Sequence, residues 1–198
     1  MTASDRRSQL IETALNVFAQ KGFNGATTKE IAALAGVTEA IIFRHFPTKQ
    51  ALYQAVLESR VGCPGLQKWL AEAQSAMDRN DDVRLFRAIA AAVIESYSED
   101  PRMERVMLFA ALEGNEQALE HHRNFSLPIF ELLRDYVVRR QREGALAEYD
   151  AGAILSAIAG MAKGHAIAIR MFGFRTEYSD QKAAELFTHI LLNGIQAK

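Results

Sequence analysis

An all-α protein, built as a small N-terminal helical unit joined to a larger helical body, is the fold class this sequence predicts. Three observations lead there. Apolar residues recur at helical spacing along most of the 198 residues, and no run alternates with the period of two that marks a half-buried strand. Thr and Gly punctuate the first 60 residues at short intervals. Beyond a break at Val61-Gly62-Cys63-Pro64-Gly65 the helical segments become long.

The first helix carries Leu10, Ile11, Ala14, Leu15, Val17 and Phe18 on one face and ends at Lys21-Gly22, a cation and a glycine where C-termini favour them. Thr27 and Glu30 have capping-box spacing and open a second, short helix that Ala35-Gly36-Val37 interrupts. Thr38 is placed to cap a third, Glu39 to Phe46, and Pro47-Thr48 stops it and caps a fourth from Lys49 to about Ser59. Longer segments follow at 66–77, 82–98, 101–112, 116–143, 150–172 and 180–196, with Pro128 expected to kink or restart the fourth of them. The sequence predicts about nine helices in all, divided as 1–48, 49–60 (a connecting helix) and 61–198.

Composition narrows the function. Hydrophobic residues make up 49% and charged residues 24%, which fits a globular chain and excludes collagen, coiled-coil rod and wholesale disorder. The net charge of -1 rules out a whole-molecule basic field, so any nucleic-acid binding must use a local patch. Residues 1–60 hold 7 Lys+Arg against 5 Asp+Glu, net +2, and Arg6 and Arg7, just before helix 1, could touch a duplex backbone or be ordinary terminal arginines. Cys63 is alone, which excludes an intrachain disulfide and a cysteine zinc site and fits a cytoplasmic location. The N-terminus lacks the apolar core of a signal peptide, and the longest uncharged run, Ala151 to Ala162, is shorter than the ~20 residues of a membrane span.

The strongest signal is the pair of short helices joined through Gly36. A helix the size of Glu39–His45, propped by its neighbours with one face free, fits the major groove of B-DNA. The run from Thr27-Thr28-Lys29-Glu30-Ile31-Ala32 through Ala35-Gly36-Val37-Thr38-Glu39 to Phe43-Arg44-His45-Phe46-Pro47-Thr48-Lys49, with Ala14, Phe18, Gly22 and Phe23 before it, resembles the DNA-binding segment of the tetracycline-repressor (TetR) family. The resemblance covers residues 6 to about 58.

It implies a helix-turn-helix domain followed by a larger ligand-binding and dimerisation domain. Thr27 and Thr28 then meet phosphate at the start of helix 2, Lys49 matches a phosphate-binding lysine, and His45 a backbone-contacting position. Glu39, Ala40, Ile41 and Arg44 then point towards base edges or their rim, and Thr38 and Phe43 complete the expected DNA-binding set. Arg44 alone can bind guanine O6 and N7 bidentately, although it could reach a phosphate instead. Val37, Ile42 and Phe46 are expected to pack inward. Ala40, Ile41 and Phe43 depart from the family's frequent glycine, small hydroxyl residue and tyrosine, which points to an altered operator and puts one phosphate contact in doubt.

The resemblance further implies a homodimer through the last two long helices, 150–172 and 180–196, where Ala153, Ala157, Gly160 and Gly164 form a small-residue face and Leu186, Ile190 and Leu191 are the expected anchors, the alternative being that these faces pack within the chain. Phe86, Tyr97, Met103, Met107, Phe130, Met161 and His165 are the expected lining of an adaptable apolar pocket for a small-molecule effector. No cofactor, metal or membrane partner is expected.

A catalytic reading finds no footing. His121 and His122 are adjacent and so diverge on a helix, and Ser126, Asp150 and His165 show no triad pattern. The sequence therefore reads as a homodimeric regulator, most simply a repressor released from a palindromic operator by its effector. The alternative is a helical interaction or ligand-binding module that no longer binds DNA.

Overall fold

The computed structural model describes residues 3–59 and 64–195. Ten helices cover them, against about nine expected: α1 (Ala3–Gly25), α2 (Thr28–Leu34), α3 (Glu39–His45), α4 (Lys49–Glu58), α5 (Pro64–Asp78), α6 (Asp82–Glu99), α7 (Arg102–Glu113), α8 (Glu116–Arg142), α9 (Ala151–Arg170) and α10 (Asp180–Ile195). No strand occurs among the described residues. Residues 61–63 of the expected break, Cys63 included, lie outside them.

Local chemistry accounts for the short helices. The Thr27 hydroxyl accepts the Glu30 N–H at 3.2 Å, and the Thr48 hydroxyl accepts the Ala51 N–H at 3.0 Å, so both caps form as the spacing predicts. The reciprocal arm of the Thr27 box is not made: the Glu30 carboxylate takes the Lys21 ammonium at 2.6 Å. Thr38 occupies the N-cap position of α3 with extended backbone but makes no side-chain cap, a correction to the expected role of its hydroxyl. Gly22, at φ 69° and ψ -177°, breaks α1 where Lys21-Gly22 predicts an end, and a further turn runs on to Gly25.

The chain forms two compact units. α1–α4 cluster with residues 101–125, that is α7 and the first part of α8. The second unit comprises α5, α6, the remainder of α8 from Ser126, α9 and α10. The reason in the first unit is area. Three short helices bury too little apolar surface alone, and Val106, Ala110 and Ala118 complete the cluster built on Leu10, Phe18, Ile31, Ile42, Leu52, Tyr53 and Val56. α8 is a single helix through Pro128 and does not restart there; the ring lacks only the one N–H that would reach back a turn.

In the second unit Phe86, Leu85, Ile89 and Ile94 of α6 pack with Ile154, Leu155, Ile158 and Ala162 of α9 and with Ala183, Ala184, Leu191 and Leu192 of α10. Asp82 fastens the start of α6 to the end of α8. Its carboxylate accepts the Tyr136 hydroxyl at 2.5 Å and the Arg140 guanidinium at 3.0 Å through both Nε and Nη2. Burial and this hydrogen bond push the Tyr136 phenol well above its ordinary range. α9 is long and apolar enough by length and composition to cross a membrane, but its face of Ile154, Leu155, Ile158 and Ala162 is buried in this core.

Candidate nucleic-acid interface

The turn between α2 and α3 is closed by a pair of backbone bonds. Gly36 N–H donates to Ala33 O at 3.2 Å and Val37 N–H to Ala32 O at 3.0 Å, with Gly36 left-handed at φ 67°. The Gln9 amide of α1 donates to Ala35 O at 3.3 Å, tying the turn to the supporting helix. Beyond the turn Ile42 and Phe46 are fully buried against α1 and α4 neighbours in the cluster, and Val37 packs against it half-buried. Arg7 lies over the Phe46 ring, 5.0 Å from its centroid.

With Ile42 and Phe46 inward, the opposite edge of α3 faces solvent. Ala40, Phe43 and Arg44, at i, i+3 and i+4, are exposed on it, and Phe43 is 44% exposed despite its ring. Arg44 has no ion-pair partner among the described residues. Ile41 and Glu39 are half-buried at the margins. Thr38 and Thr27 are exposed and Thr28 half-buried.

Three candidates are already engaged within the protein. The Thr28 hydroxyl donates to the Glu39 carboxylate, which pins the first turns of α2 and α3 together. Lys49 donates from Nζ to Phe23 O at 2.8 Å and Ala26 O at 3.0 Å and sits 4.3 Å above the Phe23 ring. It therefore holds the start of α4 to the α1–α2 connection, a role that spacing alone does not reveal. The His45 Nε2 atom is buried and has no hydrogen-bond partner.

Residues missed from the sequence tie α7 to this unit. The Glu113 carboxylate accepts the backbone N–H groups of Phe23 at 3.0 Å and Asn24 at 3.2 Å. Arg105 donates to Ala19 O at 2.8 Å, and Arg102 reaches Glu12 and Asn16 at 2.6 Å. Burial, aided by the negative charge of Glu113, raises the Tyr53 phenol to about 12. Nothing local in the sequence around Glu113 signals this, because the partners lie at the far end of the unit's chain.

The residues expected in the larger body separate. Met103 and Met107 pack against the first unit's cluster, and the other five effector candidates belong to the second unit. Phe86 and Tyr97 are buried, and Phe130 and Met161 are partly buried against the second cluster. His165 stands edge-on to Phe187, centroids 5.5 Å apart, with Nε2 buried and unpartnered. None of the seven lines the two recesses described in this unit, one of 490 Å³ beside Met77, Leu132, Tyr136 and Arg139 and one of 220 Å³ beside Asp82, Val83 and Leu192. Of the expected interface, Ala153, Ala157, Gly160, Gly164, Leu186 and Ile190 are exposed. Leu191 is 8% exposed and belongs to the core; one step on a helix turns a side chain by ~100°, and that step separates it from Ile190.

The family model "Bacterial regulatory proteins, tetR family" matches residues 10–56. The HTH-type transcriptional regulator TtgR of Pseudomonas putida is 29% identical over 154 residues, which is 78% of this chain and 65% of that protein, so the match spans just under two thirds of the relative's length. Among solved structures, the ketosteroid transcriptional regulator KstR2 of Mycobacterium tuberculosis superposes with a TM-score of 0.72 at 18% identity, over 100% of this chain and 98% of that one. A transcriptional regulator from Saccharomonospora viridis in complex with choline gives 0.71 at 19%, over 98% and 100%. The structural likenesses establish the fold, in which a helix-turn-helix precedes a helical body. Residues 10–56, folded around the Gly36 turn, thus carry the N-terminal domain of the tetR family of bacterial regulatory proteins.

Proposed function

We propose that the protein is a homodimeric, sequence-specific DNA-binding regulator that represses transcription from a palindromic operator and is released by a small, mainly apolar effector. The observation that carries this reading is the solvent-facing edge of α3, where Ala40, Phe43 and Arg44 project opposite the buried Ile42 and Phe46. A short helix supported on one side and free on the other is what major-groove entry requires.

In this reading Arg44 reads a guanine edge, Ala40 and Ile41 approach thymine methyls, and Thr27, Thr38 and Phe43 line the backbone. Thr28 and Glu39 set the angle between α2 and α3 by pairing with each other. The third N–H of Lys49 remains available for a phosphate after its two carbonyl bonds. His45, with its unpartnered ring nitrogen, stands beside this edge. One such unit neutralises few phosphates, so tight binding calls for two, joined through the exposed faces of α9 and α10. Phe130 and Met161, partly buried against the second core, and His165, edge-on to Phe187, are the proposed points of effector contact.

Selection of bound duplexes from a random DNA pool, followed by mobility shift at several salt concentrations, tests the function. An enriched palindrome with half-sites about one turn apart is the expected result. No retardation at low salt would remove the DNA-binding reading.

A further inference from the structure

The connection from α9 to α10 carries three aromatic rings that its own protomer leaves in water: Phe172 is 74% exposed, Phe174 67% and Tyr178 56%. This is not an unstructured tail. Met171 N–H and Phe172 N–H both donate to Ile167 O, and Phe174 N–H donates to Ala168 O at 3.0 Å around a left-handed Gly173 at φ 70°. At the base of the loop, Arg170 donates to Asp180 at 2.8 Å and to Ser98 Oγ at 3.1 Å, and Ser98 donates to the same Asp180 oxygen at 2.8 Å. Hydrogen bonds thus hold a shape that turns apolar rings outward, which is the arrangement of a binding surface ordered in advance of its partner.

We infer that this loop is a latch that packs Phe172, Phe174 and Tyr178 on a second copy of the chain, extending the homodimer contact proposed above. The inference rests on that homodimer reading. Area argues for it. A stable interface buries ~800 Å² per partner, whereas the exposed face of α9 offers Ala153, Ala157, Gly160 and Gly164, which allow close approach but supply little surface. The exposed large apolar side chains of α9 and α10 are Leu186 and Ile190 alone among the described residues. Aromatic rings each bring ~150–250 Å² when buried and are over-represented among residues that dominate binding. Position argues for it too: Gly164, Ala168 and Phe172 follow one another at four-residue steps, so the loop begins where the small-residue face ends.

Sedimentation equilibrium on the full chain, with Phe172→Ser/Phe174→Ser and Gly160→Leu variants, tests the latch. Hydrogen exchange of the wild-type loop amides over the same concentrations is the second readout. The double variant is expected to raise the dimer dissociation constant at least ~tenfold with unchanged helix content, and the loop amides to slow as dimer forms. An unchanged dissociation constant in a folded double variant, or loop amides that exchange alike in monomer and dimer, overturns the latch. If the double variant does not fold, the wild-type exchange decides alone. A wild type that is monomeric throughout removes the homodimer reading as well, whereas dimer loss confined to Gly160→Leu leaves that reading standing and sinks the latch.

Discussion

Glu113, the last residue of α7, accepts hydrogen bonds from the backbone of Phe23 and Asn24, and it does so against a glycine that leaves it room. A Cβ at Gly22 would run into the Glu113 carboxylate, and Gly22 is left-handed besides. The break in α1 and the end of α7 are thus one device: free N–H groups restart the chain after Gly22, and an anion from another helix satisfies them.

Removing either half should be costly. Glu113→Ala leaves two N–H groups without their acceptor and is expected to lower stability by ~1–3 kcal/mol. Gly22→Ala adds a left-handed alanine and a steric conflict, and the expected loss is at least ~1 kcal/mol. Urea unfolding of each variant checks both values. A Glu113→Ala midpoint equal to wild type would show that water replaces the carboxylate without loss.

Tyr53 makes alkaline stability a second test. Its phenol is raised to about 12 in the folded protein against 10.0 unfolded, so folded protein keeps the proton longer. The contribution is fully present below pH 10 and is lost as pH climbs from 10 to about 12, to the extent of ~3 kcal/mol at most. Tyr136 acts in the same direction. Denaturant melts at pH 9 and pH 11 should differ more for wild type than for Tyr53→Phe. Equal differences would mean that Tyr53 ionises alike in both states.

Arg44 and Lys49 should separate by the kind of damage they cause. Arg44 is exposed and has no ion pair among the described residues, so Arg44→Ala is expected to leave stability within ~0.5 kcal/mol of wild type. On DNA it should cost ~1–3 kcal/mol at one base position while sparing others. Lys49 bonds two carbonyls and covers the Phe23 ring. Lys49→Ala should therefore lower the melting temperature and weaken binding to all sequences alike. Binding measured on a panel of single-base operator variants, with thermal melts alongside, distinguishes them; uniform weakening by both would show that Arg44 touches phosphate and not a base.

What the sequence made legible was local. Caps at Thr27 and Thr48, the stop at Gly22 and the turn at Gly36 depend on atoms within a few residues, and each is where the spacing places it. Ile42 and Phe46 are buried where the family resemblance implies that they pack inward. Contacts distant along the chain were not legible. The packing of α7 on α1 took Met103 and Met107 from the body into the first unit, and the carbonyls that hold Lys49 come from a separate helix end. A cap also needs more than position, as the unbonded Thr38 hydroxyl shows.

Gly160 and Leu191 give opposite expectations, and the pair tests whether the exposed small-residue face exists for a partner. A Cβ on Gly160 meets nothing within 4 Å in the protomer, so the protomer does not require glycine there. Glycine in mid-helix instead costs ~1 kcal/mol relative to alanine. Gly160→Leu should accordingly fold at least as stably as wild type at concentrations where both are monomeric, and should fail to dimerise because the branched chain holds the two helices apart. Leu191 is packed with Ala183, Ala184 and Leu192 in the second core, so Leu191→Ala should cost ~2–4 kcal/mol of fold stability and weaken dimer formation only through that loss. Sedimentation and denaturation together separate the cases. A Gly160→Leu protein that dimerises with wild-type affinity would mean that the glycine face is not where the copies meet, and Ile190 would then need another explanation for its 52% exposure.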